Sequence, residues 1–516
     1  MLILFKLVDL MRVTNIFSSD QWRIVHYLNF KMDCLAKQED YGLAIDKDSI
    51  KRHVDELQSQ KDPIIRSLTE AMPKVPQYRK KSKPKVTHKK DGTLSKLGEE
   101  WFRLLKVNKL PMNYSGDLEI LTGYEEPNPG STPQVKDWLF SMGWEPCTFK
   151  YNRDKATGEE KQVEQVRYSS PSHPKKGELT ESVLRLKERN PAVEYLEKIT
   201  VINHRIGVFE GFLNSERKDR TYPYVVAGAG GFTNTLRFKH RTPIVNLPKV
   251  GKPWGEEIRG SIVAKKGKIY LGSDMVSLES TTKRHYMFPY DPDYVAEMSD
   301  PDFDEHLDLA VHAGVITKEQ ALRHVRKEIS LKEIRDPWKV TNYSAVYGVG
   351  KPKLARELGV TVSKAALLLE GYWARNWSIK EVIKDQFVKT LKDGSMWLKN
   401  PVSGFYHSLR CEKDIFSTLN QSTGVYCFDT WVAYCAAAGV EIPMQYHDEI
   451  LAECDDDEQS IKDTKERMQN AITKTNEKVT SLSTFAEAVS FTFDILFQEV
   501  LGQTGIVSTF CLNNPI

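Results

Sequence analysis

The run Met444-Gln445-Tyr446-His447-Asp448-Glu449-Ile450-Leu451 sets the tightest constraint on what this chain can fold into. A His-Asp-Glu triplet lies between apolar residues, downstream of a turn region containing Gly439 and Pro443. That pattern predicts a strand pair with acidic residues at its bend. Neighbouring carboxylates held at such a bend are costly unless a cation neutralises them. A divalent metal with oxygen ligands would do so. The plainer alternative is a solvated turn.

Two other stretches bear on that choice. An apolar strand from Lys268 runs up to Asp274, after which the period changes towards a helix. Asp274 reads either as a carboxylate facing a cleft or as the N-cap of that helix, and the two roles can coexist. In Arg335 to Gly348, Asp336 and Pro337 read as N-cap and first helical residue, and Gly348 as the stop. Lys339, Tyr343 and Tyr347 are spaced by four and share one helix face. Arg335 and Lys339 then lie at a helix N-terminus, where the dipole favours anions. A cation followed by two aromatics suits a triphosphate leading into a sugar and a base. The alternative is an amphipathic helix with a tyrosine stripe in the core.

In this order the three stretches resemble motifs A, B and C of the family A DNA polymerases. That family is typified by bacterial DNA polymerase I and by the replicative polymerases of short-tailed bacteriophages, and the chain looks closest to the latter. Asn128-Pro129-Gly130-Ser131, the glycine-rich run Ala227 to Arg237, Asn246-Leu247-Pro248, Glu305-His306 and the eight-residue spacing of Lys413 and Gln421 extend the resemblance. It implies an α+β fold shaped as a right hand: a palm with an antiparallel sheet, helical fingers and a helical thumb. The implied ranges are an N-terminal remnant at 1–20 and a thumb at 21–204 with a basic insertion at about 73–126. The first part of the palm follows at 205–300, the fingers at 301–424 and the second part of the palm at 425–516.

The implied activity is DNA-templated extension of a primer 3′ end with dNTPs by two-metal phosphoryl transfer. Asp274 and Asp448 are expected to bridge two Mg²⁺ ions, with Glu449 as a secondary carboxylate. Arg335, Lys339 and His306 would hold the triphosphate. Tyr343 would stack beside the sugar and base, and Tyr347 would pack at the pocket floor. Glu279 holds the family's position beside the sugar 2′ carbon, which disfavours ribonucleotides. Tyr343 stands where some relatives have Phe, which implies weak discrimination against dideoxynucleotides. Arg237, Lys413, Gln421, Gln445 and His447 fall to primer–template DNA. Two departures stand out: the usual Thr-Gly-Arg reads Thr235-Leu236-Arg237, and the Asn expected four residues before Gln421 is Ser417.

No room exists for the usual proofreading exonuclease before the thumb-like region, so proofreading is expected from a separate chain. The expected setting is bacteriophage replication in the host cytoplasm. Glu279 and Glu449 argue against a single-subunit RNA polymerase. An inactive or subunit-dependent DNA-binding remnant is the alternative from another class.

Composition is compatible with this. The 516 residues allow about two to four domain-sized units. A net charge of +3 means that a DNA binder of this balance must segregate a basic track from an acidic site. The seven cysteines form no C-x-x-C or zinc spacing, which argues for a reducing interior. No run approaches a membrane span, and Met1 to Met11 lacks a signal-peptide pattern. Lys74 to Lys90 carries eight lysines and arginines and no acidic residue. It reads as extended and solvated, either a disordered loop or a phosphate track along duplex DNA. In the phage relatives an insertion near this place grips a processivity factor. Gln21 to Gln38, Asp48 to Met72 and residues 175–215 read as long helices, and the acidic run Glu453 to Glu458 as a solvated turn.

Overall fold

The apolar run ending at Asp274 forms strand β1 (Lys268–Met275), and the two runs flanking the His-Asp-Glu triplet form β2 (Glu441–Tyr446) and β3 (Glu449–Asp455). With β4 (Ile495–Val500) they make one antiparallel sheet in the order β2-β3-β1-β4. Both central strands are buried on both faces, which explains their continuous rather than alternating apolar character. This computed structural model describes residues 19–154, 157–169, 173, 175–482 and 495–500. The expected N-terminal remnant at 1–20, apart from residues 19–20, lies outside them.

Beside the sheet, the helix Ile415–Ala437 is buried along almost its whole length, its polar side chains Asn420, Thr423 and Asp429 included. Apolar residues spread around the whole helix, with its polar groups hydrogen-bonded inside, place it within a core. Around it gather the helices Ser19–Tyr41, Leu278–Met287, Glu305–His312 and Lys332–Val346, whose apolar residues join one continuous core with Trp431, Phe416 and Tyr372. Among the described residues no helix is long and apolar enough to cross a membrane.

Chain packing divides the molecule into two units. The larger holds the residues up to Leu57, those of 170–176 and those from His204 onward; the smaller holds Gln58–Ser169 and Gly177–Asn203. The expected thumb range 21–204 is thus shared between them. The smaller unit has its own core of Val135, Trp138, Leu139, Val183 and Leu196.

Three local expectations are corrected. Asp274 is not a helix cap: pairing with Glu449 on one side and Leu496 on the other extends β1 to Met275, and the next helix starts after Ser277. The basic–aromatic helix begins at Lys332 with Leu331 as N-cap, so Asp336 and Pro337 lie inside it. A proline this near the start forfeits a single backbone hydrogen bond, and the Arg335 N–H still reaches the Leu331 carbonyl at 2.9 Å. Residues 175–215 are not one helix. Asn190-Pro191 interrupts the chain with short 3₁₀ turns, and only Tyr195–Asn214 is a long helix.

The basic insertion is a folded module. Val75–Lys81 is extended, as expected, but pairs antiparallel with Leu118–Glu125, and the helix Lys96–Val107 packs against one face of that ladder. Trp101, Leu105 and Leu118 close a small core separate from the rest of the unit. Trp101→Ala should therefore cost the module about 3–5 kcal/mol. Hydrogen exchange should accelerate across residues 75–125 and stay unchanged in β1 and β3.

Candidate active site

The hairpin turn between β2 and β3 consists of His447 and Asp448, with His447 at φ +60°. Antiparallel register sets Asp274 opposite Glu449, and the Met275 N–H donates to the Asp448 carbonyl at 3.1 Å. Three carboxyl groups thus meet at one end of the sheet. Burial and the charge of Asp448 push Asp274 up to about 8. Burial, then the charge of Asp274, pushes Glu449 up to about 9, with Arg259 opposing. Asp448 is also raised by burial, against the pull of Arg237. Such a site is short of positive charge, and its oxygen donors fit a hard divalent cation. Among the described residues no group of three or more His, Cys, Asp or Glu side chains is disposed to hold a metal alone. Mg²⁺ is commonly held by one or two carboxylates plus substrate phosphates, which suits the Asp274–Asp448 pair.

Arg237 reaches this cluster from a short hairpin, Ala229–Phe232 with Phe238–His240. Its guanidinium lies 3.7 Å from Asp448 and 4.0 Å from Glu279. Leu236, which replaces the glycine of the resembling motif, has φ +68° and packs against the main core. The hairpin is anchored from behind by the Ser19–Tyr41 helix. Lys31, only 1% exposed, donates to Asp429 at 2.5 Å and sits 4.3 Å from the Phe238 ring centre. Tyr27 also donates to Asp429. Gln38 donates to the Ala227 carbonyl at 2.8 Å and accepts from the Gln445 N–H at 2.7 Å.

On the opposite side, Arg335 donates to Asp304 at 2.7 Å. Asp304 is also the N-cap of the Glu305–His312 helix, accepting from the His306 and Leu307 N–H groups. Burial, with repulsion from Arg335 and Lys249, lowers the pKa of Lys339, against the pull of Asp336 and Asp304. The Lys339 ammonium lies 6.0 Å from the Tyr343 ring centre. His306 is buried and pairs through Nδ1 with the Asn342 amide at 3.1 Å. Burial lowers it to about 4, so it is neutral at pH 7 with Nε2 carrying the proton. Tyr343 and Tyr347 remain about two-fifths exposed, as an amphipathic core stripe would not be.

A cavity of about 400 Å³ joins these parts. Asp274, Asp448, Glu279, Tyr343, Tyr347, Arg237, Lys413 and His447 all line it. Gly348, at φ +67°, ends the helix here and leaves room for the Lys413 stem, which a Cβ would meet at 3.1 Å. Arg335, Lys339, His306, Glu449, Gln421 and Gln445 do not line it. Gln421 accepts from Thr235 at 2.7 Å behind the wall. Gln445 is buried beneath the triplet, lining a small separate void with Lys31 and His240. Ser417 donates to a carbonyl of its own helix turn.

Several residues were not singled out from sequence. Asp304 and Lys249 shape the cation cluster. Asn420 donates to the Glu279 carbonyl at 3.0 Å and accepts from Thr282, fixing the backbone that presents Glu279. His240 accepts from the His447 N–H and lies against Tyr446. Asp304 four residues into Asp300-Pro301-Asp302-Phe303-Asp304 had an N-cap pattern that could have been read; the others act across long sequence separations.

No protein-family model matches the chain. Over 241 residues it is 27% and 26% identical to DNA polymerase I from two strains of Helicobacter pylori. Each alignment covers 45% of this chain and 25% of the relative, so the match spans about a quarter of those proteins' length. Among solved structures, the POL domain of Pol1 from M. smegmatis, in complex with DNA primer-template and dNTP, matches with a TM-score of 0.58 at 16% identity. That match covers 90% of this chain and 68% of the other. The α+β polymerase-domain fold implied by the three motifs is borne out, and so is kinship with DNA polymerase I.

Two outcomes follow from the electrostatics. Raised carboxyl pKa values favour the folded state at low pH, and that contribution is lost as pH rises from about 4 towards 8–9. In chelator, the melting temperature should fall across this window, and Asp274→Asn should flatten the fall by an amount on the order of a few degrees. Lys31→Met strands a buried carboxylate and should cost about 3–5 kcal/mol in urea denaturation, most of it recovered in Lys31→Met/Asp429→Asn.

Proposed function

We propose, from this kinship with DNA polymerase I, that the chain is a family A polymerase that extends a DNA primer on a DNA template using dNTPs. The observation that carries the reading is the single cavity lined by Asp274, Asp448, Glu279, Tyr343 and Tyr347. Carboxylates for phosphoryl transfer, a group beside the sugar and two rings for the base lie around one volume.

Asp274 and Asp448 would hold two Mg²⁺ ions, which when bound supply charge neutralisation for the attacking and leaving oxygens. Glu449, behind them, is a secondary carboxyl group. Arg335, held in orientation by Asp304, and Lys339 bind triphosphate oxygens as cations. His306 adds a neutral N–H donor. Positioning and electrostatics are most of what phosphoryl transfer asks of a protein. Tyr343 stacks beside the sugar and base, and Tyr347 forms the floor near the templating base. Glu279 crowds the sugar 2′ position and selects deoxynucleotides. Arg237, Lys413 and His447 face the primer–template, with Gln421 and Gln445 supporting them from behind the wall. The division into thumb, palm and fingers belongs to the same proposal, as does a setting in bacteriophage replication in the host cytoplasm. A processivity factor at the 73–126 insertion is a further expectation of the resemblance.

Primer extension on a recessed duplex tests the core reading. Extension should require dNTPs and Mg²⁺, and Asp448→Ala should lower it at least about 100-fold. Glu279→Ala should raise ribonucleotide use about 10-fold or more. Tyr343→Phe should increase discrimination against dideoxynucleotides. DNA binding with no dNTP-dependent extension would turn the reading to a non-catalytic remnant.

A further inference from the structure

The insertion module buries one face of its two-stranded ladder and leaves the other uncovered. Leu118 and Ile120 point to the Lys96–Val107 helix and join the module's core. Alternation then sends Glu119 and Leu121 outward. Register places Tyr78 opposite Leu121, Pro76 opposite Tyr124 and Lys80 opposite Glu119 on that outer face. Tyr78 is 58% exposed and Tyr124 63%. The core closes without them, so folding of the module gives no reason for two exposed rings.

The charge of the segment that carries Tyr78 is one-sided, although Glu119 faces Lys80 across the ladder. Between Lys74 and Lys90 there are eight lysines and arginines and no carboxylate. Lys74 and Lys81 are used in ion pairs with Glu126 and Glu100. Lys80, Lys83 and Lys85 are exposed, and among the described residues none of them forms an ion pair. A surface built to receive a protein would concentrate apolar groups and deplete lysine at its centre. Exposed rings alternating with unpaired lysines match instead the platform that holds unpaired nucleotides, where bases stack and ammonium groups track the phosphates. A duplex would leave the rings without a base face to stack on.

We propose that this outer face binds single-stranded DNA, with Tyr78 and Tyr124 stacking on bases and Lys80, Lys83 and Lys85 on phosphates. Naming that strand as the unpaired template rests on the polymerase reading above; the binding itself does not.

The test uses the full chain and fluorescence anisotropy with a labelled oligo(dT), in chelator and without dNTPs. Tyr78→Ala/Tyr124→Ala should weaken binding by about 10-fold or more, since each base–ring stack is worth about 1–3 kcal/mol. Lys80→Glu/Lys83→Glu/Lys85→Glu should weaken it and reduce the slope of log affinity against log salt by about 2. Both variants should keep the wild-type melting temperature and extend a saturating recessed duplex with a template overhang of only a few nucleotides at the wild-type rate. Unchanged oligo(dT) affinity and salt slope in both variants would overturn the inference and leave the polymerase reading standing. Loss of duplex affinity with oligo(dT) affinity intact would also overturn it. If the wild type never extends a primer yet the variants lose oligo(dT), the surface stands and only its naming as a template track falls.

Discussion

Seven consecutive backbone pairs, from Lys268 with Asp455 to Asp274 with Glu449, hold β1 against β3, and the chemistry of the site depends on that register. A slip of one residue would turn Asp274 to the other face of the sheet. Because both strands are buried on both faces, such a slip would also misplace Ile269, Leu271, Ile450 and Ala452 in the core. Apolar packing therefore enforces what electrostatics resists, namely three carboxyl groups crowded at one sheet end. The resulting demand for positive charge explains why Arg237 and Arg259 approach from two sides, and why the site suits a divalent cation.

Arg237 shows how the rest of the structure serves that end. Its hairpin takes a left-handed residue at Leu236, a conformation costing a non-glycine residue about 1–3 kcal/mol. Packing of the Leu236 side chain on the core offsets part of that cost, which a glycine could not do. The Lys31–Asp429 pair and the Gln38 bridge then seat the hairpin and β2 on one helix. Phe238, next to Arg237, rests against the Lys31 ammonium. These groups touch no cavity surface of the main site, yet they fix where Arg237 points.

Much of the site was legible because its chemistry writes local patterns. Asp274 at a strand end, the spacing of Lys339, Tyr343 and Tyr347, and the apolar residues around Asp448 each follow from a period of two or of nearly four. Secondary structure was less legible where tertiary pairing overrides local signals. Asp336-Pro337 has the composition of a helix start, but the helix begins at Lys332, where the chain leaves Leu331. Asp274 has the composition of a cap, but two neighbouring strands extend β1 past it. The ladder at Val75–Lys81 was hidden because its partner strand lies some forty residues on and its own sequence carries a proline and three basic residues. Asp304, Asn420, Lys31 and Gln38 act on residues far away in sequence, and no periodicity marks them.

The Lys31–Asp429 and Gln38–Gln445 pairings span 398 and 407 positions. During synthesis at about 5–20 residues per second, Lys31 emerges roughly 20–80 s before its carboxylate exists. Through that interval the Ser19–Tyr41 helix carries a cationic, partly apolar face with nowhere to settle, and β1 has no β3 to pair with. Local helices elsewhere can form as they leave the ribosome. The carboxyl-bearing end of the sheet cannot, because the helix that seats it and the strands that form it are far apart in the described chain. A chain that stops short of β3 cannot bring Asp274 and Glu449 together.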